Sequence, residues 1–161
     1  MSCDAVAFSA MLFMASFSPD AGAERGLIVP IAAPAPPSSV ATEPLFADIV
    51  SKAGALKAEV ERLRSAGLEA NTTDLPGYAA FKTRIQALAE LDMQGHLTLA
   101  ARGTDGDLKC ILKGISQDLG MRLQQLESAA TPAARDQALK DMSYLLNDNV
   151  EVITAPPAAP V

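Results

Sequence analysis

Apolar residues return at alternating steps of three and four along four successive segments of this chain, and that period decides what it can fold into. In the first segment Phe46, Ile49, Ala53, Leu56, Val60 and Leu63 fall on one stripe of an α-helix. The second puts Tyr78, Phe81, Ile85, Leu88 and Leu99 on one face, and the third Leu108, Ile111, Leu112, Ile115, Leu119, Leu123 and Leu126. In the fourth, Ala134, Ala138, Met142 and Leu145 are expected to point inward. Aromatics make up 4% of the residues and there is no Trp, so Leu, Ile, Val and Ala must build the core. Such side chains suit closely packed helices better than sheets.

Helix punctuation divides these stripes. Pro44 opens the first helix, expected to run to about Ala66, where Gly67 can turn left-handed and Leu68 can touch Leu63. A loop of Asn71, Thr72, Thr73 and Asp74 follows, and Pro76 suits the first turn of a second helix running to Arg102, with Gly95 as its weak point. Between Gly103 and Asp107 the chain turns back; Thr104 with Asp107 three residues on resembles a capping box. The third helix should end near Ser128. Thr131-Pro132, a cap followed by proline, should start the fourth, which is expected to reach about Asn147. Short connections imply antiparallel neighbours, and hence an all-α, antiparallel up-down four-helix bundle with disordered proline-rich tails. The competing architecture is a longer helical hairpin that completes its core by dimerising.

The ends read differently. Ala5 to Phe17 is an apolar run followed by Ala21-Gly22-Ala23, the small-residue pattern of a signal-peptidase site, so residues 1–23 are expected to be a secretory signal. One feature departs from the pattern, because no Lys or Arg precedes Glu24. Residues 24–43 carry Pro30, Pro34, Pro36 and Pro37 and form a proline/alanine-rich linker, 44–150 the bundle, and 151–161, with Pro156, Pro157 and Pro160, a flexible tail. The 161 residues suffice for one core. A net charge of −6 without a basic stripe argues against nucleic acid or an anionic membrane surface as partner. The apolar run is too short to span a bilayer, so no membrane span is expected in the mature chain.

Chemistry is thinly marked. One His and two Cys, of which Cys3 would leave with the signal, exclude a zinc cluster of ordinary composition, a thioredoxin-type pair and a haem-attachment motif, and no cofactor or metal is expected. No phosphate-cradling glycine loop or nucleophile elbow occurs. The informative polar constellation is Asp92, Gly95 and His96, because Asp92 and His96 share the apolar face of the second helix. A carboxylate and an imidazole at i and i+4 can bond each other, can be re-phased to solvent by a break at Gly95, or can orient a small polar ligand or an incomplete metal shell. Arg122, level with Arg84, should pack its stem and send its guanidinium to water or a carboxylate; anion binding with Arg84 is the lesser alternative. Asn71-Thr72-Thr73 matches a glycosylation triplet that also reads as an ordinary turn.

Cys110 falls opposite the apolar stripe of the third helix, on an outer face with Gly114 and Met121. A lone thiol there, in an exported chain, suggests a disulfide across an interface, with Gly114 allowing a helix to approach and Met121 supplying an adaptable contact. The function expected is therefore an exported helical-bundle interaction or structural protein of the cell envelope or secreted fraction, with a protein partner or a second copy, and not an enzyme. The alternative is a small-ligand or metal-binding bundle using the interior around Asp92 and His96.

Overall fold

Proline and glycine set the helix boundaries largely where the sequence places them. The computed structural model describes residues 40–66 and 71–155. α1 spans Pro44–Ser65, α2 Tyr78–Arg102, α3 Gly106–Ser128 and α4 Pro132–Thr154, with a single 3₁₀ turn at Thr72–Asp74 ahead of α2. No strand occurs among the described residues. Pro44 and Pro132 each take a first-turn position, where a missing N–H costs nothing, and the Thr131 hydroxyl accepts a hydrogen bond from the Ala134 amide at 3.2 Å. Gly103 closes α2 in the left-handed region, φ 70°, donating to the carbonyls of Leu99 and Ala100.

Each helix packs on its neighbours in sequence, and α1 packs on α4 to close the ring, leaving α2 and α4 at opposite corners. Polar pairs along the seams give the direction. From Lys57 through Glu61 to Arg64, α1 meets Asn147, Ser143 and Asp136 of α4, so one numbering rises as the other falls. Lys82, the Ala89 carbonyl and His96 of α2 meet Glu127, Ser116 and Lys109 of α3 in the same sense. Glu43 and Glu59 pair with Arg102 and Arg84 across the α1–α2 seam. The bundle is thus up-down and antiparallel, as the connections imply.

Its core is the set of stripes. Phe46, Ile49, Phe81, Ile85, Leu88, Leu99, Leu112, Leu119, Leu126, Leu139, Met142 and Leu146 are all essentially inaccessible to solvent. Each such side chain contributes about 1.5–3 kcal/mol, whereas an exposed ion pair such as Arg84–Glu59 is worth ~0–1 kcal/mol, so apolar burial holds the fold. No helix among the described residues is long and apolar enough to cross a membrane.

Four local expectations need correction. The Thr104–Asp107 capping box does not form: the chain reverses through Asp105, in the left-handed region at φ 48°, which becomes the residue preceding α3 and makes no side-chain cap bond. The inward set of α4 is Ala138, Leu139, Met142, Leu146, Asn149 and Ile153, while Ala134 is exposed and Leu145 only half-buried. That helix also continues past Asn147 to Thr154, since Ile153 is fully buried. At the other end Val40 is 3% exposed, so the packed chain begins ahead of α1. The expected Gly67–Leu68 closure of α1, the signal segment and most of both proline-rich tails lie outside the described residues.

Candidate functional site

α2 is continuous through Gly95, so Asp92, Gly95 and His96 keep the common phase read from the sequence. Gly95 is tolerated mid-helix because the helix is locked by its surroundings. A Cβ there would lie 3.0 Å from Leu112 Cδ1 and 3.4 Å from both Ile49 Cδ1 and Phe46 Cε1, so the missing side chain lets α2 sit close against α1 and α3.

Asp92 and His96 do not bond each other. Asp92 has no exposed surface, and both its oxygens accept from Nδ2 of Asn149, at 3.0 and 2.9 Å, across the diagonal of the bundle. Burial pushes the Asp92 carboxyl up to about 7, against the opposing pull of the Asn149 hydrogen bond. Asn149 is likewise fully buried, and its Oδ1 has no hydrogen-bond partner. His96, partly buried, turns the other way: its Nδ1 lies 2.8 Å from the Lys109 carbonyl of α3, an acceptor to which Nδ1–H donates. The two interior polar groups are each spent tying α2 to a different helix. Among the described residues no three His, Cys, Asp or Glu side chains converge to hold a metal ion.

Surface candidates separate as well. Met121 is 49% exposed and Gly114 has open space where a Cβ would stand, so both face outward on α3. Cys110 is partly buried and disulfide-bonded. Arg122 packs its stem and reaches Asp141 of α4 at 3.4 Å and Gln125 at 2.8 Å, whereas Arg84 bonds Glu59 of α1 at 2.7 Å; the two arginines serve different seams. Asn71 is exposed and its Oδ1 accepts from Nη1 of the buried Arg135 at 3.3 Å, and the same nitrogen donates to the Ala129 carbonyl, pinning the α1–α2 connection to the start of α4.

Sequence reasoning missed two features. Asn149 is one, although the steps Met142, Leu146, Asn149, Ile153 continue the four-three-four period and carry it into the core. The other is an open groove of about 410 Å³ between α1 and α4, lined by Lys57, Arg64, Lys140, Ser143 and Tyr144 among others. Tyr144 is 67% exposed at its edge, while on the floor Ser143 donates to Glu61 at 2.5 Å and Lys57 to Asn147 at 2.6 Å. Compared with known proteins, the chain matches no family model, no curated protein and no solved structure.

Proposed function

We propose that this chain is an exported helical-bundle protein that works by binding a protein partner through its outer surface, and not by catalysis. One observation carries the reading: Asp92 and His96, the interior groups a bound molecule or a reaction would need, already hold α4 and α3, while Tyr144 stands 67% exposed over the α1–α4 groove. Tyr144 and the neighbouring Arg64 are of the residue types enriched at protein interfaces, and the lysines and carboxylates around them would form a polar rim. Export is supported by the apolar run ending in Ala21-Gly22-Ala23, and the proline-rich ends would act as spacers.

Site-specific photocrosslinking in the native host tests the surface. A photoreactive residue at position 144 should yield one discrete adduct that is lost in Lys140→Glu, and the same residue at Gln86, exposed on α2, should yield none. Equal labelling from both positions, or none from position 144, would refute it. Export is tested separately, by N-terminal sequencing that should begin at Glu24.

A further inference from the structure

The Asp92–Asn149 contact through the centre of the bundle is poorly matched if Asp92 is ionised. Asn149 Nδ2 then donates to the carboxylate, but Asn149 Oδ1, buried with no partner, is offered no proton. A neutral carboxyl supplies one. With a small rotation of the amide, the Asp92 O–H donates to Asn149 Oδ1 while Asn149 Nδ2–H donates back to the other carboxyl oxygen, and both side chains are satisfied. Among the described residues no other hydrogen bond or ion pair reaches Asp92, and its apolar surroundings there offer no compensating cation. The charged and titratable side chains nearest this level all keep solvent-exposed surface: Glu90 and His96 on α2, Asp48 and Lys52 on α1, Lys109 and Lys113 on α3, and Asp148 and Glu151 on α4. Asp48 and Lys52 pair with each other.

We propose that Asp92 and Asn149 form a proton-operated latch, which ties α2 to α4 while Asp92 is protonated and weakens the bundle when it ionises. The direction follows from linkage. A carboxyl raised on folding from an ordinary 3.8 to about 7 binds its proton more tightly in the folded state, so its contribution is complete below about pH 4 and is lost as the pH rises through 7. Between pH 5 and pH 8 the folded-to-unfolded ratio should fall on the order of 100-fold from this group. Acid should therefore stabilise this protein where it weakens most others.

The test uses the full chain. The ¹³C carboxyl resonance of Asp92, followed by NMR from pH 3.5 to 9, should titrate near neutrality, and urea unfolding should show the wild type losing stability from pH 5 to pH 8. Asp92→Asn, whose amide can exchange two hydrogen bonds with Asn149 at any pH, should lose that slope and exceed the wild type at pH 8. A carboxyl that titrates in the ordinary range, or an Asp92→Asn slope equal to that of the wild type, would overturn the latch. Should Asp92→Asn fail to fold, the wild-type titration decides alone.

Discussion

Replacing Gly95 by Ala sets two effects of known size against each other. In an exposed helix interior the exchange stabilises by roughly 0.5–1 kcal/mol, because glycine loses more backbone freedom on folding. At position 95 the added methyl would stand 3.0 Å from Leu112 Cδ1 and 3.4 Å from Ile49 Cδ1 and Phe46 Cε1, inside the separation of about 3.5–4.0 Å at which carbons attract. Leu112, Ile49 and Phe46 have no exposed surface, so none has free space to move into. Overpacking of this kind costs about 1–3 kcal/mol, which outweighs the propensity gain and leaves Gly95→Ala destabilised by ~1 kcal/mol. The internal control is Gly54→Ala in α1 or Gly120→Ala in α3, where a Cβ meets nothing within 4 Å and only the propensity gain remains. Chemical denaturation of the three variants should move Gly95→Ala to lower denaturant and the other two to higher. A Gly95→Ala variant stabilised as much as Gly54→Ala would show that α2 does not approach α1 and α3 as closely as described.

Other consequences are more local. Thr131→Ala should cost about 0.5–2 kcal/mol in denaturation, because the Ala134 amide loses its hydroxyl acceptor, and Thr131→Ser should restore most of it. Arg135→Leu should cost about 1–3 kcal/mol by leaving the Ala129 carbonyl without its donor, and should speed proteolysis around Asn71. The two hydrogen bonds from Arg102 hold the Glu43 carboxyl below its ordinary value, so what the pair contributes is present above about pH 4.5 and lost as pH falls through the lowered value. Glu43→Gln should accordingly speed amide exchange in the first turn of α1 at pH 6 and make little difference at pH 3.

Much of the bundle is legible in the sequence because helix stripes and stop signals are local. The stripes of α1 and α3 are almost purely Leu, Ile, Val, Phe and Ala, and every inward residue of α3 can be read directly. α4 is harder, because Asn149, Ser143 and Arg135 interrupt its buried face; counting only apolar residues picks Leu145 over Leu146 and stops the helix two turns early. The Thr104 cap fails for a related reason: the reversal at Asp105 depends on how α2 and α3 meet, which no tetrapeptide encodes. At the candidate site the sequence places Asp92 in the core, since its phase on α2 is fixed. It cannot name Asn149 as the partner, because that contact crosses the diagonal between helices 57 positions apart. Nor does it show that His96, one turn on, finds a backbone carbonyl of α3.

The account rests on a closed interior in which Asp92 is held by Asn149 and His96 by the Lys109 carbonyl. Solvent exchange of the Asn149 side-chain amide protons tests this most directly, with Asn147 of the same helix, half-buried and accepting from Lys57, as the reference. Bonded to Asp92 in a closed core, the Asn149 protons should exchange slower than those of Asn147 by orders of magnitude and should be unaffected by added divalent metals or small carboxylates. Exchange as fast as at Asn147, or a shift on adding either probe, would mean that the centre of the bundle is open to water and ligands, and would contradict the account.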